Sequence, residues 1–162
     1  PQIHTISLFV TNAPGVLVRV ALVFSRRGFN IESLVVSPGA EGRFSRMTIT
    51  CSGEPEVLEQ IIKQLAKLVD VFHAVDHTGD LAYETEIALI KIECPIEERT
   101  EILQIAEHFK ARVVDYGADS MILQAFGSSE KLDALISLLR PFSIEELVRS
   151  GKLLMARGKS TT

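Results

Sequence analysis

The chain has 162 residues, 46% of them hydrophobic and 23% charged, with a net charge of −4. That length holds one compact domain or two small ones and supplies ample apolar residue for their cores. The acidic balance speaks against a nucleic-acid partner, and no apolar run approaches the roughly 20 residues that span a bilayer.

In chain order, His4 to Thr11 reads as a strand in which Ile6, Leu8 and Val10 alternate with Thr5, Ser7 and Phe9. Asn12-Ala13-Pro14-Gly15 is a turn. Val16 to Arg27 has helical period, with Val16, Val20 and Phe24 on one stripe and Gly28 at the C-cap position. Ile31 to Ser37 is a second strand, residues 38–42 a hairpin loop, and Arg43 to Ser52 a third strand. On that strand Ser45, Met47, Ile49 and Cys51 face away from Phe44, Arg46, Thr48 and Thr50. Pro55 opens a second helix with Leu58, Ile61, Ile62, Leu65 and Leu68 in its stripe, and Val69 to Val75 is a fourth strand. The order βαββαβ predicts a ferredoxin-like unit, an antiparallel sheet with both helices on one face.

Asp76 to Tyr83 is the expected linker, dividing the chain into domains 1–77 and 78–162. The second half repeats the order. Its elements are a strand at Glu86 to Glu93, a helix at Ile96 to Lys110, strands at Arg112 to Tyr116 and Ser120 to Phe126, and a helix N-capped by Ser128 or Ser129. An edge strand is expected at Phe142 to Val148, with a helical turn as the alternative. The fold class is therefore α+β, two ferredoxin-like βαββαβ domains with antiparallel sheets and helices on one face.

The Asn12–Gly15 turn is the first candidate for chemistry. A helix start carries unpaired N–H groups and partial positive charge, which favour an anion. Gly15 allows close approach, and Asn12 can serve either an ammonium or a carboxylate. Val16, Leu17 and Ile31 are placed to line an apolar pocket, so a zwitterionic amino acid fits. A simple turn role for Asn12 is the alternative. Asn30 follows Gly28-Phe29, where it serves either the turn or a ligand. Were two sheets to pair edge to edge, Asn30 of one copy would lie near Asn12 and Gly15 of the other. Ser45, Arg46 and Met47 are candidates for partner contact, with an Arg simply exposed on an open sheet face as the alternative. Leu34, Val36 and Ile49 are expected to add apolar surface to an otherwise uncovered sheet, favouring a homodimer.

The remaining chemistry is sparse. His4, His73, His77 and His108 have no partners at catalytic spacing, so no catalytic residue and no metal site is assigned. Gly15 and Gly28 are too far apart for a nucleotide fingerprint. Cys51 and Cys94 read as buried free thiols in a reducing cytoplasm, and residues 1–5 show no secretion signal.

The stretches NAPGVLVRV (residues 12–20), FSRRGFNIESLVV (24–36), SRMTI (45–49), VLEQIIKQLAKLVDV (57–71) and RSGKLLMARG (149–158) carry a resemblance. The N-terminal half resembles the ACT domain, an amino-acid-binding regulatory module. Nearly the whole chain resembles the regulatory (small) subunit of acetohydroxyacid synthase, also called acetolactate synthase. The resemblance implies a cytoplasmic, non-catalytic homodimer that binds a larger catalytic subunit, raises its activity, and confers feedback inhibition by a branched-chain amino acid, usually valine. It implies an effector site between two ACT domains, with Asn12, Gly15, Val16 and Leu17 from one chain facing Asn30 and Ile31 of the other. Thiamine diphosphate, magnesium and FAD would belong to the partner, with no cofactor on this chain, no nucleic acid and no membrane. The rival readings are a free-standing ACT-type sensor or transcription regulator, which lacks a basic recognition helix here, and a small enzyme, which lacks convergent acid–base residues.

Overall fold

Apolar residues alternating with small polar ones lay down β1 (Gln2–Thr11), whose Ile6, Leu8 and Val10 are fully buried. The structure, a computed structural model, describes residues 2–79 and 82–162; Asp80 and Leu81, inside the expected linker, lie outside these. After β1 come α1 (Val16–Arg26), β2 (Asn30–Pro38), β3 (Phe44–Gly53), α2 (Pro55–Ala66) and β4 (Val71–Asp76). The sheet order is β2-β3-β1-β4, antiparallel at every pairing, so β1 and β3 are central and β2 and β4 are edges.

The helix stripes are those the sequence predicts. Val16, Val20 and Phe24 of α1 and Leu58, Ile61 and Leu65 of α2 pack against Ile6, Leu8, Ile49 and Cys51. Gly28 takes φ +71 just past the Arg27 cap, a left-handed conformation that closes α1, and the Phe29 N–H donates back to the Phe24 carbonyl. Burial, with Asp76 and Glu32 adding like charge, pushes the Cys51 thiol up to about 12, so it is an inert core residue.

The second set comprises β5 (Tyr83–Glu93), α3 (Ile96–His108), β6 (Arg112–Tyr116), β7 (Ser120–Gly127), α4 (Ser129–Leu139) and β8 (Ile144–Arg149), with order β6-β7-β5-β8. Its own core joins Ala88, Ile90 and Ile92 to Ile102, Leu132, Leu135 and Leu139. Ser128 is the cap of α4, accepting from the Lys131 N–H at 3.2 Å. The 144–149 segment is the strand, not a helical turn, and pairs with β5. Helix α3 stops two residues earlier than its period predicts, because Lys110 turns left-handed at φ 57. The chain separates into two compact units, one running up to Tyr83 and including Gly151–Thr162, the other Glu84–Ser150.

Two expectations about the first sheet's surface need correction. Register places Leu34 and Val36 opposite Ile49 and Met47, on the helix-covered side, so these residues add nothing to the other face. That other face is not bare either. Gly151 approaches so closely that a Cβ there would lie 3.1 Å from Val35 Cγ2 and 3.2 Å from Ser33 Cβ. The tail from Gly151 groups with this unit.

Candidate functional site

The β1–α1 turn is held by its flanks. The Asn12 N–H donates to the Arg43 carbonyl and the Asn12 side-chain amide to the Gly42 carbonyl, both at 2.8 Å. Because that partner is an acceptor, the amide nitrogen faces Gly42 and the Asn12 Oδ1 is left as an acceptor. Gly15 is the N-cap residue, at φ 84 and ψ −12, a left-handed conformation that β-carbon-bearing residues rarely adopt. No side chain caps α1. Among the described residues the N–H groups of Gly15, Leu17 and Val18 have no backbone acceptor, and that of Val16 reaches the Ala13 carbonyl only at 3.5 Å. The mouth is thus open, electropositive and lined by backbone donors.

Two residues that the sequence reading passed over complete it. Arg19, one turn along α1, donates from Nε to Asp70 Oδ2 at 2.9 Å, with Nη2 at 2.6 Å from the same oxygen. Asp70 is tied to the end of β1 through its carbonyl, which accepts from the Thr11 N–H at 2.8 Å. The guanidinium held this way leaves Nη1 over the turn, 3.0 Å from where a Gly15 Cβ would stand. The available signal was positional, since residues i and i+4 share a helix face. The acidic partner 51 residues on could not be paired with it by spacing.

The other expected residues are distributed as follows. The Val16 side chain is 2% exposed and belongs to the core, so it offers the mouth its backbone alone, whereas Leu17 is 43% exposed beside it. Asn30 is a strand residue, not a turn residue. Its amide nitrogen donates to Glu32 Oε1 at 2.9 Å, and the Ser52 hydroxyl donates to the same oxygen at 2.7 Å. These bonds, the Asn30 one first, hold the Glu32 carboxyl below its ordinary value. They also leave Asn30 Oδ1 as an acceptor. Ile31 lies against the core edge.

Within one chain the two asparagines are not brought together. Asn30 pairs with Ser52, which pairs with Ile3, and Asn12 lies nine residues further along β1. At about 3.4 Å per residue the separation is roughly 30 Å.

Ser45 and Met47 are buried, at 4% and 2% exposure, so of the three residues named for partner contact only Arg46 reaches the opposite face. There it stacks over the Phe9 ring at 5.0 Å and donates from Nη1 to the Thr162 carbonyl at 3.1 Å.

The second unit has a different helix start. Glu97 and Glu98 occupy the first turn of α3 and already complement its positive end. Arg99 Nη2 donates to the carbonyls of Cys94, Gly117 and Ala118, locking the loops instead of leaving donors free. Among the described residues no group of three or more His, Cys, Asp or Glu is placed to hold a metal, and no helix is long and apolar enough to cross a membrane.

Comparison with known proteins finds a family match in each half of the chain. Residues 6–73 match the family described as the AHAS small subunit-like ACT domain, and residues 85–158 match the small subunit of acetolactate synthase. A protein of Archaeoglobus fulgidus named "Probable acetolactate synthase small subunit" is 46% identical, over 96% of this chain and 97% of that one. The acetolactate synthase small subunit of Mycobacterium leprae is 43% identical, over 96% and 92%. The crystal structure of the Thermotoga maritima small subunit superposes with a TM-score of 0.86 at 35% identity, over 99% of this chain and 100% of that one. The chain belongs to the acetolactate synthase small-subunit family, and its first unit is the ACT domain of that family.

Proposed function

We propose that this chain is a non-catalytic regulatory subunit that binds the catalytic large subunit of acetolactate synthase in the cytoplasm, raises its activity, and makes it sensitive to valine or another branched-chain amino acid. Thiamine diphosphate, magnesium and FAD are assigned to that partner. Effector binding is assigned to the ACT domain, residues 1–77 of the first unit, and the second domain is the unit Glu84–Ser150. The observation that carries the reading is the uncapped mouth of α1 beneath Arg19 Nη1, with an Asn12 oxygen beside it. An amino-acid carboxylate fits the N–H groups and the guanidinium, and an ammonium fits the Asn12 oxygen.

The second half of the site comes from a second copy. Strand β2 is an edge, and its Asn30 and Pro38 ends lie at opposite ends of the sheet. A two-fold antiparallel pairing of β2 with its counterpart sets Asn30 of one chain beside the Pro38 end of the other. That end adjoins the Gly42 loop to which Asn12 is bonded. The apolar residues Leu17, Val18 and Leu22, 42–62% exposed on α1, support such a homodimer. The effector's ammonium then meets Asn12 and the opposite Asn30, and its branched side chain lies against Leu17 and Ile31. Effector binding changes the partner's activity to the extent that it favours one subunit arrangement over another.

The test is to mix the chain with a purified catalytic subunit and assay acetolactate formation with and without valine. A higher rate that valine then suppresses is expected. An unchanged rate, indifferent to valine, would refute the proposal.

A further inference from the structure

Between α1 and α2 the helix layer of the first unit is split by a groove of about 760 Å³. Its floor is the half-buried pair Val23 and Val57, both at the margin of the core. Arg26 and Arg27, from the last turn and cap of α1, form one wall. Gln60 and Gln64, one turn apart on α2, form the other, with Glu56 at one end.

The side chains of Arg26, Arg27, Gln60 and Gln64 make no hydrogen bond or ion pair with any described residue. The neighbouring charges on the same helices are paired: Arg19 with Asp70, and Lys63 with Glu59. The negative end of the α1 dipole accounts for a cation at Arg26. It extends to Arg27, the cap residue, but does not account for two unpaired amides across an apolar floor.

Two guanidiniums against one carboxylate leave the groove positive in a chain whose net charge is −4. Amides four residues apart on a helix, a rise of about 6 Å, match repeating main-chain groups better than a single compact ion. The apolar floor needs an apolar side chain to cover it. We infer that this groove is the docking seat for a short acidic and apolar segment of the catalytic subunit. Its carboxylates would meet Arg26 and Arg27, its main chain Gln60 and Gln64, and an apolar residue would cover Val23 and Val57. The inference rests on the proposed role as a regulatory subunit and adds where on the ACT domain the partner binds.

The experiment uses the full chain, the purified catalytic subunit, and two double variants, Arg26→Glu with Arg27→Glu and Gln60→Ala with Gln64→Ala. Affinity for the catalytic subunit is measured by biolayer interferometry, self-association by sedimentation, and valine binding by calorimetry. Charge reversal is expected to weaken subunit affinity at least about tenfold, as loss of a complementary charge pair does. The glutamine pair is expected to weaken it several-fold. Valine affinity and self-association should match wild type in both. Unchanged subunit affinity in a folded charge-reversal variant overturns the inference. Should that variant fail to fold, unchanged affinity in the glutamine variant overturns it. Loss of self-association would make the groove an interface between copies, and overturns it too. Stabilisation of wild type by inorganic diphosphate, lost on charge reversal while subunit affinity holds, would make it a small-anion site instead. If wild type itself fails to bind the catalytic subunit, the regulatory reading falls, a result distinct from all of these.

Discussion

Gly15 does three things that no other residue can do together. It adopts φ 84, caps α1 without a side chain, and leaves the space into which Arg19 Nη1 projects at 3.0 Å from its missing Cβ. Substitution with Asp tests all three. Asp tolerates a left-handed backbone better than most residues, so the fold survives, but its carboxylate then sits where an effector's would. We expect Gly15→Asp to retain activation of the catalytic subunit and to lose valine inhibition, with calorimetric affinity for valine falling at least about tenfold, the order of one charge-assisted hydrogen bond. Valine inhibition as strong as wild type would refute the assignment. The turn itself was legible from Asn12, Pro14 and Gly15, because turn chemistry is local. The guanidinium above it was not, because the Asp70 that aims Arg19 is remote in sequence.

At the scale of elements, the two units share an order of strands and helices but spend their charges differently. In the first, α1 opens unpaired. In the second, Arg149 of β8 closes on Glu86 of β5 and on Asp133 of α4, the latter at 2.5 Å. The Glu86 side chain is only 5% exposed, and desolvation weighs against the Arg149 charge while the Glu86 and Asp133 bonds raise its pKa. Removing one member of such a pair strands the other. Arg149→Met should destabilise the protein by about 3 kcal/mol in urea unfolding, and adding Glu86→Gln should recover part of that. A loss below about 1 kcal/mol would place the pair among surface bridges of little worth. Alternation and helical period made the elements themselves readable, down to the stripe of Val16, Val20 and Phe24. They failed where long-range packing decides: the side of the sheet that Leu34 and Val36 face, the end of α3, and the return of the tail to the first unit.

For the whole molecule, the roughly 30 Å between Asn12 and Asn30 in one chain means that the proposed effector site, built from both asparagines, needs two copies of the chain. Each site would take Gly15 from one copy and Asn30 from the other. That division has a consequence which a site confined to one chain does not share. Gly15→Asp and Asn30→His should each abolish or weaken valine binding in a pure sample, the first by filling the anion site, the second by removing the facing amide. In a heterodimer of the two, one site combines the normal Gly15 of the Asn30→His chain with the normal Asn30 of the Gly15→Asp chain. The other site carries both defects. Equal mixing with free exchange makes about half the dimers mixed, so roughly one quarter of the wild-type sites should reappear, as two-fold symmetry requires. Calorimetry on the pure variants and on their re-equilibrated mixture reads this directly. Recovery of high-affinity sites only on mixing is the expected result. A mixture that binds no more valine than the average of its components would show that Asn30 and Gly15 do not meet across two chains.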